Sequence, residues 1–440
     1  MRSAVLVAMP TSRRSLHPIF TQRSLVGAAL ATFALASPAL ADEPEATAPP
    51  VVSTATTSAP AEPATPPAPE ADKAPPPPPV VAQTTSEPVT VEKSPEEQAS
   101  TEVNLNGSID AYSGVNFARP GSNLNKLRAF DTQDGGFALN YAEIVLARNT
   151  GKFGFRVDAG FGSASDGLFA VDNASVSMDP DTKAYAKALA HVQQAYVTGR
   201  FGKLTIDAGK FVTAHGLEVI ETKDNWNYSR SILFNWAIPF FHTGLRATYA
   251  VNDKLSVMGC VVNGWNTNLQ EGNSMTSACV QAIYKPVAPL SLVVNYIGGR
   301  EHALGVEELT LRHTVDVNAT YAVNDKLSVA MNADYGYDAA GDGVSWAGVA
   351  GYGRYQILPN LAAAGRVEYF SDSDGFMTGM EQSIMEGTAT LEVSGKLGPS
   401  SVVGRLEYRH DRSDAEFFDA SMPTSAKTQN TVLIGGITSF

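Results

Sequence analysis

Gly209-Lys210-Phe211-Val212 ends one alternating run, and Phe241-His242-Thr243-Gly244-Leu245-Arg246-Ala247-Thr248-Tyr249 begins another. Between them lie residues 213–240, a mixture of acidic, aromatic and basic side chains. The second run turns at Asn252-Asp253-Lys254 and returns through Val262-Asn263-Gly264-Trp265-Asn266. Apolar and polar residues exchange places at every step, which is the period of a strand with two unlike faces. Two strands, a long loop and a hairpin are the elements of an antiparallel wall, and the loop is long enough to leave that wall.

The same period extends outward. Phe153, Phe155, Val157, Ala159 and Phe161 alternate with Lys152, Gly154, Arg156, Asp158 and Gly160. Residues 309–321 and 327–335 alternate in the same way. A tilted membrane-spanning strand needs about 9–11 residues, and several of these runs are that long. Mean hydropathy is only −0.09, and no apolar run long enough for a helical span follows residue 41. Both facts fit a barrel whose lipid-facing and inward-facing residues average out. Short links at 149–152, 201–202, 252–254, 286–289, 324–326, 358–360 and 396–400 take turns with long ones at 118–134, 164–190, 213–240, 265–272, 299–308, 339–343, 372–383 and 412–427. Tight periplasmic turns and large external loops give that asymmetry. The expected fold is all-β, a transmembrane antiparallel β-barrel of about 16 strands preceded by a disordered Pro-rich segment. An even strand number puts both barrel ends on the periplasmic side.

Three regions follow. Residues 1–41 read as a signal peptide: Arg13, Arg14 and Arg23, the apolar run 25–36, and Ala39-Leu40-Ala41 for cleavage after Ala41. Residues 42–100 are rich in Pro and Ala, contain no aromatic residue and carry more acids than bases. Such a segment buries too little apolar surface to offset its ordering entropy, so it reads as a disordered periplasmic linker, either a spacer or a tether to the cell wall. Residues 101–440 form the barrel. The formal net charge of −13 argues against nucleic acid as a partner. The stretch 247–257 recurs letter for letter at 319–329, which reads as two equivalent hairpins. Val432, Ile434, Gly436, Thr438 and Phe440 share a face of the last strand, the form of end that outer-membrane assembly machinery takes up.

Gly209-Lys210-Phe211-x-Thr213-x-x-Gly216-x-Glu218, Asn225-x-x-Tyr228-Ser229-Arg230-Ser231, Pro239-x-x-His242-Thr243-Gly244 and Val262-Asn263-Gly264-Trp265-Asn266 resemble the OmpL-like β-barrel porins of Gram-negative bacteria. The likeness is specific over residues 209–266. It implies a channel in the bacterial outer membrane, surrounded by lipid and passing small hydrophilic solutes. General porins of this size are often trimers, so a homotrimer is one assembly that the analogy allows, although the sequence itself shows no interface.

A bare sixteen-strand lumen is wide and weakly selective, so selectivity needs charges at a narrowing. Residues 213–240 are the candidate, by analogy with the inward-folded loop of general porins. Their charges are Glu218, Glu221, Lys223, Asp224 and Arg230, and Trp226, Tyr228, Phe234, Trp236 and Phe240 are placed to pack against the wall. Alternation sends Phe241 and Leu245 to lipid and His242, Gly244 and Arg246 inward. It also sends Arg156, Asp158, Arg312, Asp316, Arg366, Glu368, Glu392, Arg405, Glu407 and Arg409 inward, where most are expected to be hydrated. Cys260 and Cys279 fall on neighbouring strands, either as a disulfide or as two thiols one register step apart. No cofactor, metal or catalytic motif is read from the sequence. The one cluster with a hydrolase-like composition is His242 with Ser229 or Ser231 and Asp224. The alternative to a channel is a structural barrel that anchors the envelope through residues 42–100.

Overall fold

Sixteen alternating strands close into one antiparallel sheet. The computed structural model describes residues 102–440 apart from 173, 174, 176, 178, 270–275, 303–308 and 422–424. The signal-peptide and Pro-rich readings lie outside the described residues. In chain order the first strands are β1 (Asn104–Asn116), β2 (Phe137–Arg148) and β3 (Phe153–Phe161). Two helices follow, α1 (Ser163–Ala170) and α2 (Pro180–Ala190), then β4 (Val192–Phe201) and β5 (Leu204–Val212). Next come β6 (Phe241–Asn252), β7 (Leu255–Val262), β8 (Ser277–Tyr284), β9 (Leu290–His302), β10 (Leu309–Ala322) and β11 (Leu327–Asp338). The far wall is β12 (Val344–Leu358), β13 (Leu361–Asp372), β14 (Gln382–Leu397) and β15 (Ser400–Ser413). A two-stranded ribbon, β16 (Phe418–Asp419) with β17 (Ser425–Ala426), precedes the last wall strand, β18 (Thr428–Ser439).

Strand β10 shows what separates the faces. Leu311, Val315 and Val317 are exposed, whereas Arg312, Thr314, Asp316 and Asn318 are buried. Apolar residues outside and charged residues inside invert a soluble sheet, and such an apolar belt requires lipid. The barrel closes where β1 pairs with both β2 and β18. Gly107 and Phe440 exchange both backbone hydrogen bonds at that seam, at 3.1 and 3.0 Å. Ile434 and Phe440 lie on the outer surface, 65% and 60% exposed.

The repeated stretch makes the same turn twice. Asn252 Oδ1 accepts from the backbone N–H groups of Lys254 and Leu255 at 2.9 and 3.0 Å. Asn324 Oδ1 accepts from those of Lys326 and Leu327 at the same distances. Each Asn caps donors that the turn would otherwise leave to water. Asn252→Ala and Asn324→Ala are each expected to cost about 1 kcal/mol. Urea midpoints of the folded barrel in detergent should therefore fall by matching amounts.

One expectation needs correction, and one long link has structure that the alternation does not describe. The long link 164–190 contains helices: Asp179 caps α2 by accepting from the Thr182 N–H at 3.0 Å, with Pro180 at its first position. Phe241, expected to face lipid, is buried. Lys210 Nζ lies 4.4 Å from its ring centroid while donating to the Leu189 carbonyl at the end of α2, at 2.8 Å. The helical segment thus covers the ends of β5 and β6, and strand alternation alone cannot foresee a loop folding back.

Candidate functional site

Residues 213–240 hold their own shape. Thr213 N–H donates to the Phe240 carbonyl at 2.9 Å and closes the base. Asn225 pins the descending limb: its Oδ1 accepts from Val219 N–H at 2.9 Å, and its Nδ2 donates to the Val219 and Glu221 carbonyls at 2.8 and 2.9 Å. A 3-10 turn at Thr222–Asp224 reverses the chain. A π-helical turn at Leu233–Ala237 carries it back, and Ser231 Oγ accepts from Phe234 N–H at 3.0 Å at its start. Phe234 packs edge-on against Phe240 and Phe130, at 5.0 and 5.9 Å between centroids.

The segment meets the inward faces of strands on both sides of the seam. Tyr228 OH donates to Asp110 of β1 at 2.6 Å. Glu407 of β15 accepts from the Tyr228 and Ser229 N–H groups at 2.5 and 2.9 Å. Glu368 of β13 accepts from Ile232 and Leu233 N–H at 2.7 and 3.2 Å. Asn227 Nδ2 donates to Thr390 of β14 at 2.8 Å. The Trp346 indole of β12 donates to the Ala237 carbonyl at 3.1 Å. Gly435 of β18 has the ring of Tyr228 where a Cβ would stand, at 2.2 Å. Gly435→Ala should therefore dislodge Tyr228, and tyrosine fluorescence with tryptic cleavage inside 213–240 would report it.

Arg366 of β13 is the hub. Its Nη1 reaches Glu218 Oε1 at 2.7 Å and the Ser229 carbonyl at 2.8 Å, and its Nε reaches Glu386 Oε2 at 3.1 Å. Arg405 of β15 donates to the Thr222, Asn225 and Asn227 carbonyls at 2.8, 2.5 and 3.1 Å and pairs with Glu392. Arg409 donates to the Arg230 carbonyl at 2.5 Å and pairs with Asp411. Away from the segment, Arg246 pairs with Asp207, Arg312 with Asp338 and Arg156 with Asp158, each at 2.8 Å. Asp316 accepts from Asn295, Asn318 and Asn332. The inward charges were expected to be hydrated. Instead, those from Arg366 to Arg409 are ion-paired or, for Glu407, hydrogen-bonded, and under 9% exposed, because the segment occupies the space water would fill.

The five charged residues of the segment do different things. Glu218 joins Arg366 and accepts from Ser231 N–H at 2.6 Å. Glu221 is buried and accepts from Gln193 at 2.8 Å. Arg230 is an internal strut: it donates to the Val219, Ile220 and Tyr228 carbonyls and stacks over Phe130. Only Lys223 and Asp224, paired with each other, keep about a third of their side chains exposed. Asp110, Glu143 and Glu386 were not singled out from the sequence, although their place in the alternation of β1, β2 and β14 puts them inward.

The Ser, His and acid cluster is not assembled. His242 binds the Gly264 carbonyl and Thr213 Oγ1 at 3.0 and 3.2 Å, whereas Ser229 Oγ meets Arg366 at 3.2 Å and Asp224 meets Lys223. Cys260 and Cys279 stand directly opposite each other on β7 and β8 and form a disulfide. Replacing both with Ser should cost about 2–4 kcal/mol, read as a lower unfolding temperature that reductant reproduces in the parent.

Burial, with the neighbouring His242 as a smaller cause, pushes the His215 imidazole down to about 3. It is neutral in place, and a state that exposes it takes up a proton near the ordinary value of about 6.5. Stability of the loop base from this source is complete above about pH 6.5 and is lost as pH falls toward 3. Amide exchange over 213–240 should quicken across that window, and His215→Gln should flatten the change.

The profile of a family described as "Putative beta-barrel porin-2, OmpL-like" matches residues 102–440. The chain belongs to that family. The match spans the whole described barrel of this OmpL-like porin-family protein, well beyond residues 209–266. No curated protein matches the sequence. Among solved structures, an anion-selective porin from Comamonas acidovorans is similar at 10% identity, covering 77% of this chain and 99% of its own, with a TM-score of 0.51. OmpTdeltaL8, a loop-deletion mutant of an outer membrane protein of Vibrio cholerae, is similar at 11% identity with the same coverages and a TM-score of 0.49. At these identities the likeness concerns the fold, and both fold and family are those of bacterial outer-membrane barrels.

Proposed function

We propose that the protein is an outer-membrane channel for passive diffusion of small hydrophilic solutes and ions, narrowed by residues 213–240. The observation that carries this is the bridge from the segment to the far wall, Glu218 to Arg366 at 2.7 Å. It holds a charged loop across the barrel interior. The burial of the inward charges favours a narrow passage with small conductance over a wide one, and Lys223 and Asp224 of the segment and Arg156 of β3 keep partly exposed charges. Residues 1–41 serve export, with cleavage after Ala41, and the strand ending in Phe440 is the handle for barrel-assembly machinery. Residues 42–100 reach toward the cell wall, and a homotrimer is the assembly proposed. No catalytic step is assigned.

Single-channel recording of refolded 42–440 in a planar bilayer tests the proposal. Small, stable, ohmic steps are expected, and neutralising Lys223 and Asp224 together should alter them. Silence from protein shown to be folded and inserted would remove the open-channel reading in favour of an anchor.

A further inference from the structure

Three carboxylates meet where residues 213–240 pass β2 and β3. Glu143, Asp158 and Glu221 are all buried, and each offers an oxygen within 4.8 Å of the others. They come from three separate elements, the two wall strands and the loop. Asp158 is held by Arg156 Nε at 2.8 Å and Gln194 Nε2 at 2.6 Å. Glu221 is held by Gln193 Nε2 at 2.8 Å. Glu143 is not matched in this way. Its Oε2 has Ser108 Oγ at 3.5 Å, and its Oε1 is buried without a hydrogen-bond partner. A buried carboxylate oxygen left bare is costly, and two further carboxylates beside it raise the cost. Of the two nearby cations, Arg156 pairs with Asp158 inside the cluster and Lys223 pairs with Asp224, so neither is bound to Glu143.

We propose that Glu143, Asp158 and Glu221 bind a divalent calcium ion, which clamps residues 213–240 to the wall at β2 and β3. The donors are all oxygen, with no imidazole or thiolate, which suits a hard cation rather than a transition metal. The three ligands from three elements form a partial shell, and Ca2+ tolerates irregular geometry and added waters. The ion neutralises charges that otherwise repel, and it occupies the bare Glu143 oxygen. Gly160 lies opposite Glu143 in the β2–β3 register, and the ring of Tyr141 fills the space that a side chain there would take. The inference rests on this contact and does not depend on permeation.

The test uses detergent-folded protein stripped of lipopolysaccharide, with CaCl2 as the probe. Calorimetric titration should show one saturable site, weakened by roughly tenfold or more in Glu143→Gln and in Glu221→Gln. Unfolding temperature adds a second readout. At a calcium concentration near the parent's dissociation constant, calcium should raise it clearly in the parent and by much less in either variant. In EDTA the order should reverse, with Glu143→Gln at or above the parent, because the amide removes a repelling charge. A residue that merely packed would lower stability in both conditions. Binding that survives in both variants would place calcium elsewhere and overturn the proposal. So would a parent whose stability follows pH but ignores calcium, since a shared proton would then fill the same role.

Discussion

Deleting residues 217–238 and joining the ends with a short glycine link should raise single-channel conductance several-fold. The physical reason is the cross-section. A closed sheet of sixteen strands encloses a lumen wider than its own side chains fill, and here the segment supplies much of what fills it. The inward groups that it covers, Arg366, Arg405, Arg409, Glu368 and Glu407, would become wet. The deletion also removes Glu218, Glu221 and Asp224 together with Lys223 and Arg230. The remaining lumen is then more basic by one charge, and ion preference should move toward anions. Reversal potentials in a salt gradient measure this directly. Unchanged conductance in folded, inserted protein would mean that the segment does not limit passage.

Arg366→Met should produce the largest loss of stability from a single substitution. Arg366 is buried and binds carboxylates from the loop and from β14; removing it takes the ion-pair partner from buried Glu218 and leaves Glu386 with Arg409 alone, at 3.5 Å. Breaking a buried pair by deleting one partner costs about 3–5 kcal/mol. The effect should separate into two parts. The urea midpoint falls, and the segment loosens, seen as tryptic cleavage within 213–240 and as larger, noisier current steps. Arg366→Lys keeps the charge but not the planar fork. It should restore part of the midpoint while leaving the Ser229 carbonyl contact unmade. The double variant Glu218→Gln with Arg366→Met should cost less than the sum of the singles, because the two residues share one interaction.

Local pattern determined the wall. A period of two needs only neighbouring residues, so β10 could be assigned its lipid face and its inward Arg312, Thr314 and Asp316 from alternation alone. The turns at Asn252 and Asn324 were legible for the same reason, since one Asn side chain and the next few N–H groups make each of them. The motif residues 209–266 carried the family resemblance, and the family match then extended over the barrel. Tertiary structure decided what lies inside. Glu218 and Arg366 are 148 residues apart, and no local period relates a loop to the strand it crosses. The covering of Phe241 by the end of α2, the role of Arg230 as an internal strut, and the convergence of Glu143, Asp158 and Glu221 are likewise non-local. The choice between a disulfide and two thiols depended on register, because a shift of one residue between β7 and β8 would have turned Cys260 and Cys279 to opposite faces.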